Sequence, residues 1–410
     1  MRVAKMSLVA GLLLGANVYA IDNVKVSGSV QVLYGTQDDS TSTVDMFDKD
    51  ASYADTAFHL GVTADLAEGV SAGIAATAVS SLGMENNIAS IENVWSGAHK
   101  VVYDADGNVE TIEDALFIDE LWVSGTTGKT TGTIGRMQLD TPLAFTEAWG
   151  ASTNNFEAAV VTNEDLPGTT LLAAWVGKSN GSGDQTSGAA VVGSMTGTDG
   201  KFNTFAESGS YVVGAINNSF EPLTAKAYYY GMPQFADAYW LQADLDMDGI
   251  MAGAQYGAIE PKATGAKDSS AYAAMLGYAL KDVVTVTAAY SSVDDEGDVA
   301  LSNVATRGQS AGAQTQLYTE VWWWYGTVAE VGADTYTVAA ETTVGDGYDL
   351  YLGYWNSEND VSGFELDEVA FTVSKSYGAL DTSVALVYDD FGGTSSGDLT
   401  TFQVYLTYNF

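Results

Sequence analysis

The chain of 410 residues has no cysteine. It can form no disulfide, and it has no thiolate to bind metal or attack a substrate. It has only two histidines, His59 and His99, so a His/Cys metal centre is excluded and acid–base catalysis lacks material. No G-x-x-x-x-G-K phosphate cradle occurs. These shortages argue against an enzyme. Basic residues are scarce too: 15 Lys and Arg stand against 53 Asp and Glu, for a net charge of −38. Such a chain repels nucleic acid and anionic headgroups. Proline is rare at five residues. Beyond the first twenty positions no apolar run approaches the roughly 20 residues that a membrane helix needs.

What is present points elsewhere. Arg2 and Lys5 precede a short apolar core, Leu8 to Gly15, and then Val18-Tyr19-Ala20. This is the pattern of a cleaved secretory signal over residues 1–20, with a mature chain starting at Ile21. Removing it leaves 13 basic against 53 acidic residues, a difference of −40. So acidic a chain would normally be disordered, but 46% of its residues are apolar and it holds 23 Tyr and 9 Trp. An exported chain without disulfides needs another network to hold it, and a closed hydrogen-bonded sheet is one.

The hydrophobic period is two almost throughout. Phe402, Val404, Leu406, Tyr408 and Phe410 alternate with Thr401, Gln403, Tyr405, Thr407 and Asn409. Phe58/Leu60/Val62/Ala64/Leu66 and Tyr272/Ala274/Leu276/Tyr278/Leu280 behave alike. Alternation alone does not separate a soluble sandwich from a membrane barrel. Loop asymmetry favours the barrel: tight turns such as Ala67-Glu68-Gly69 and Lys281-Asp282 alternate with long polar stretches at 35–55, 81–114, 178–210 and 292–333. Tyr34, Trp175, Tyr278, Tyr290, Trp355, Tyr388 and Tyr408 fall near strand ends, where interfacial girdles belong.

The expected fold is therefore all-β: a transmembrane antiparallel up-and-down barrel over residues 21–410. It has short periplasmic turns, long extracellular loops and one loop folded into the lumen. Strands are expected at 24–34, 56–66, 70–80, 115–124, 130–137, 155–162, 169–177, 211–217, 223–230, 237–245, 250–257, 271–280, 283–291, 334–343, 347–356, 366–376, 380–389 and 401–410. That is about 18 strands by this reading, with 16 as the alternative. Leu317–Tyr325 would break the up–down order and belongs inside loop 292–333. In 115–124 simple alternation leaves either Asp119 or Glu120 facing lipid, and the sequence does not say which.

Gly135-Arg136-Met137-Gln138-Leu139-Asp140-Thr141-Pro142 resembles a motif of the OprD-like outer-membrane porins. Asn155-Phe156-Glu157-Ala158 and the terminal Phe410 add to the resemblance. Leu317 to Gly326, with Trp322-Trp323-Trp324-Tyr325, resembles the major outer membrane porins of epsilonproteobacteria. The similarity spans the mature chain. It implies an 18-stranded general or substrate-selective porin of a Gram-negative outer membrane, often trimeric, passing small hydrophilic solutes through a lumen narrowed by a loop.

Arg136 is one of two arginines after the signal, with Arg307. An arginine facing lipid costs about 2–4 kcal/mol at the bilayer midplane, so it is expected in the lumen. There it would oppose Asp140 and Glu147 on a constriction loop, 138–154, in which Pro142 stops pairing and Phe145 and Trp149 wedge against the wall. The plainer reading is an arginine tying strand to loop. His59, Thr63, Asp65, Glu157, Lys226, Asp244 and Glu341 lie on polar strand faces and are expected to line water. A net negative lumen would favour cations. Asp244 to Gly249 matches the start of a calcium loop, but position twelve is Gln255, so it reads as a tight hairpin turn. Asp104, Asp106 and Asn108, and Asp294, Asp295 and Glu296, are candidate Ca²⁺ ligands in acidic loops, against the plainer reading of solvated, self-repelling loops. The Trp322–Tyr325 run is a candidate stacking site for a ring or sugar, against simple packing inside its loop. A barrel that only displays loops 81–114 and 292–333 as a surface adhesin is the reading from a different class.

Overall fold

The computed structural model describes residues 21–90, 99–105, 109–148, 150–181, 200–204, 208–306 and 313–410. The signal stretch, Asp106, Asn108, Trp149 and Arg307 lie outside the described residues. Eighteen strands close into one antiparallel barrel. They are β1 (Asp22–Asp39), β2 (Ser52–Ala67), β3 (Val70–Ser80), β4 (Ala115–Thr127), β5 (Thr130–Met137) and β6 (Phe156–Asn163). Next come β7 (Thr169–Ser179), β8 (Ser210–Phe220), β9 (Leu223–Met232), β10 (Ala236–Met247), β11 (Ile250–Pro261) and β12 (Ser269–Leu280). The last six are β13 (Val284–Val293), β14 (Ala333–Val344), β15 (Tyr348–Asn359), β16 (Phe364–Tyr377), β17 (Leu380–Gly393) and β18 (Gly397–Asn409). Each strand pairs with its sequence neighbours, and β18 pairs with β1 from Ser29↔Asn409 to Asp39↔Leu399. Among the described residues no helix is long and apolar enough to cross a membrane.

Closure ends on the terminal ring. Gly28 and Phe410 exchange both backbone hydrogen bonds, at 2.9 and 3.0 Å. A β-carbon on Gly28 would lie 2.6 Å from the Phe410 ring and 2.5 Å from the His59 carbonyl, so only glycine lets the ends meet. At the opposite side of the ring, Asp248 and Gly249 both take positive φ, 53° and 85°. That is the geometry of a type I′ hairpin, which accounts for the Asp244–Gly249 run as a turn.

All eighteen expected strands are present, and most run two to five residues further at the loop end. Alternation reports only the stretch in contact with lipid. Beyond it, both faces meet water or loop, and the ladder continues without an apolar signature. Outward side chains are apolar and open, as at Leu276 (68% exposed) and Ile134. No water-soluble protein leaves such a belt uncovered.

Register resolves the conflict in β4. Ala75 pairs with Glu120 and Ala76 with Ile118, so Asp119 is an extra residue in a β-bulge. The bulge restarts the alternation. Asp119 and Glu120 both point inward, while Leu116, Leu121 and Val123 point out. The girdle expectation needs one correction. Trp175, Tyr278, Tyr290, Tyr388 and Tyr408 are outward and exposed, but Trp355 is buried on the lumen face, packed against Tyr351 and Val387.

Candidate functional site

The lumen is crossed by two loops. The first, 138–155, enters as expected. Asp140–Thr141 and Ala144–Phe145 form a small hairpin that turns at Pro142. The Leu143 amide donates to the Tyr230 hydroxyl of β9 at 3.2 Å. At its far end the Ala151 carbonyl accepts from His59 Nε2 at 3.1 Å. The second loop, 294–332, was expected outside the barrel. It instead spans the lumen from wall to wall. On one side Leu301 and Leu317 pack on Trp240 and Ile259, the Tyr318 hydroxyl donates to Asp244, and Gln255 bonds Gln316 and Tyr318. On the other side Val321 and Val328 pack on Trp355, Leu366 and Val387. The physical cause lies in the walls. Inward apolar side chains such as Trp240, Ile259 and Leu366 would face water in an empty barrel, at about 25 cal/mol per Å².

Buried carboxylates anchor this strap. Glu368 of β16 accepts from the consecutive amides of Trp322, Trp323 and Trp324. Glu320, inside the strap, accepts from the amides of Thr315, Val321 and Gly326. Burial, reinforced by the nearby Glu147 carboxylate, pushes the Glu320 carboxyl up to about 8 against those three donors. Glu147 joins the two loops. It accepts from Asn303 Nδ2 at 2.8 Å, from Thr306 and from the Gln314 amide. Asn303 also reads the backbone of Phe145 in both directions, at 3.3 and 2.9 Å. A third element leans in from 81–114, where His99 Nε2 lies 2.9 Å from Asp55 of β2. Burial lowers the His99 pKa, but Asp55 outweighs it and the net shift is upward.

The candidate constriction residues divide. His59, Asp65, Lys226, Asp244 and Glu341 face the lumen by register. His59 sits between the Ala151 carbonyl and Thr77, which itself donates to Asp119. Asp65 is at the periplasmic mouth, held by Asn23 at 2.6 Å. Asp140 is exposed on the inserted hairpin. Glu147 does not face the pore; it is buried between the loops.

Arg136 and Glu157 require correction. They are ladder partners on the same face as Leu121, Ile134 and Val161, which is the outer face. The expected transverse field between Arg136 and Glu147 is therefore not formed. The cost of an outward arginine is avoided by position, because Arg136 lies next to the loop-side end of its strand and not at the midplane. It is neutralised there. Glu157 bridges Arg136 at 3.0 Å and Lys178 at 3.2 Å, and the guanidinium stacks 4.2 Å over the Phe202 ring. Arg136→Ala is expected to leave conductance and selectivity unchanged. It should instead lower the temperature of heat-modifiable gel migration by a few degrees, and an altered reversal potential would contradict this placement.

Among the described residues no three His, Cys, Asp or Glu side chains converge as a metal site. Asp294 caps the Glu296 amide at 2.9 Å, and Glu296 lies 3.9 Å from Lys267. The G-x-S-x-G spacing occurs at 69–73, 177–181 and 393–397, each on a strand or its turn, so none forms a strand-to-helix nucleophile elbow. Sequence reasoning missed Asn303, Glu320 and Glu368, the residues that hold the strap. The one available signal was a glutamate on the inward face of β16, with no basic partner in its strand at that level.

No protein-family model and no curated protein matches the chain. Solved structures do. OpdK of Pseudomonas aeruginosa, crystallised with vanillate, is 12% identical, with a TM-score of 0.72 over 95% of this chain and 99% of that one. OccK8 (OprE) of the same organism is 13% identical, with a TM-score of 0.69 over 96% and 99%. OccAB4 of Acinetobacter baumannii is 10% identical, with a TM-score of 0.70 over 95% and 99%. At these identities the likeness is one of fold: the chain is a closed 18-stranded antiparallel barrel of the architecture found in Gram-negative outer-membrane channels.

Proposed function

We propose that the protein is an outer-membrane porin passing ions and small hydrophilic solutes by diffusion, with a preference for cations. The observation that carries this reading is a membrane-type barrel whose inward strand faces carry more acidic than basic side chains. Asp65, Asp119, Glu120, Asp244 and Glu341 point inward, against Lys25 and Lys226. Fixed carboxylates in a narrow low-dielectric passage concentrate cations and exclude anions. The test is a reversal potential across a planar bilayer under a tenfold KCl gradient. A cation-selective value of tens of millivolts is expected, and an anion-selective one would overturn the preference.

A second reading, a substrate-selective channel, is favoured by the strap itself. A loop pinned to both walls leaves passages of defined lining rather than an open bore. OpdK, whose crystals held vanillate, shares the fold. An adhesin role is less well supported, because the described residues of 292–333, one of the two loops it would display, are folded inward.

A further inference from the structure

The passage between the strap and the β17–β18 wall has an unusual lining for so acidic a protein. It is a cavity of about 430 Å³ bounded by Trp322, Tyr325 and Gln314 from the strap, Ser383 of β17, and Gln403 and Tyr405 of β18. Among the described residues no charged side chain lines it. Its volume falls in the range of small-molecule pockets, about 300–1,000 Å³. Of the three consecutive tryptophans, Trp323 stacks on Tyr53 at 6.2 Å, and Trp324 meets Phe391 edge-on at 5.0 Å. Trp322 packs one side against the Val321–Trp355 cluster and also borders the cavity. Its ring lies 5.9 Å from that of Tyr351, which lines a second cavity of about 780 Å³ at the periplasmic mouth. Trp322 and Tyr351 thus stand side by side, one bordering each space.

We infer that this cavity is a subsite for a neutral, polyhydroxylated ring, that is, a saccharide, on its way through the pore; this rests on the channel reading above. The aromatic faces of Trp322 and Tyr405 carry negative quadrupole density, which attracts the weakly positive C–H face of a pyranose. The Gln314 amide and the Ser383 hydroxyl offer donors and acceptors for ring hydroxyls without charge, while Gln403 is held in the wall by donating to the Tyr53 hydroxyl at 2.8 Å. Among the described residues an anion finds no cation in the lining. Among the described residues a bare cation finds no carboxylate in the lining to replace its water.

Maltose is the probe, with gluconate and vanillate as anionic comparisons. The detergent-folded full chain is titrated and followed by tryptophan fluorescence, and the same sugar is added to single channels in a bilayer. Saturable maltose binding in the millimolar range is expected, with current interruptions. Trp322→Ala should weaken both at least tenfold, and Trp322→Phe should keep binding within about threefold. Equal binding by Trp322→Ala, no saturable signal for maltose, or tighter binding of gluconate or vanillate would each overturn the inference. Normal conductance without maltose binding sinks the subsite alone. Maltose binding without conductance sinks the channel reading and keeps the subsite.

Discussion

Glu368→Ala is expected to raise single-channel conductance at least twofold and to make the current noisy, while the barrel stays folded. The carboxylate accepts from three consecutive strap amides in a site with no solvent exposure. Each buried amide left without an acceptor costs roughly 1–3 kcal/mol. The strap has a cheaper option than bearing that cost in place, because it can leave the wall and hydrogen-bond to lumen water. The barrel loses little. The β16–β17 ladder runs from Phe364↔Gly393 to Tyr377↔Leu380, and its backbone hydrogen bonds do not involve the Glu368 carboxyl, which faces Asp389. Removing that carboxyl therefore leaves the strands paired while releasing the loop. Heat-modifiable migration should be retained and conductance should rise. An unchanged conductance would show that apolar packing of Val321 and Val328 holds the strap unaided.

The second large effect is alkaline loosening through Glu320. Its carboxyl is raised from the usual range near 4.5 to about 8, chiefly by burial. In an unfolded or released loop it would titrate near its ordinary value. The folded strap thus binds a proton more tightly than the released one. The stabilisation is complete below about pH 4 and is lost as pH rises through 8. At about 1.4 kcal/mol per pKa unit, the change across that window is on the order of several kcal/mol. Conductance noise and protease access to the strap should therefore increase from about pH 5 up to pH 8 and level off above it. Glu320→Gln should flatten the profile, since an amide keeps an acceptor for the strap amides and never ionises. The same alkaline rise in Glu320→Gln would assign the effect to another group.

The barrel was legible because lipid imposes a strict rule on each strand. Every second residue from Phe58 to Leu66, or from Phe402 to Phe410, must be apolar, and no soluble context writes that pattern eighteen times with tight and long connections in turn. The rule failed at three places for identifiable reasons. In β4 a single extra residue shifted the period, which no count of alternation anticipates. At Trp355 a large aromatic near a strand end looked like a girdle residue but packs under the strap. Arg136 was assigned to water because lipid is costly for it. That argument applies at the midplane, whereas the register puts Arg136 near the outer end of its strand with Glu157 and Phe202 beside it.

The candidate site was legible only in part. Pro142 and the motif around it announced an inserted loop. Nothing announced the second, since the strap's sequence from Leu301 to Val328 follows no period: its side chains answer to two different walls, one through Tyr318 and Asp244, the other through Trp322 to Trp324 and Glu368.

By itself the sequence determined that the chain is a membrane barrel, how many strands it has and where most of them turn, because those features follow from local alternation and turn chemistry. The tertiary structure alone decided what fills the lumen and where the charges sit. Those depend on contacts between residues far apart in the chain, such as Glu147 with Asn303 and Glu368 with Trp323, and on one bulge whose effect is visible only once neighbouring strands are in register.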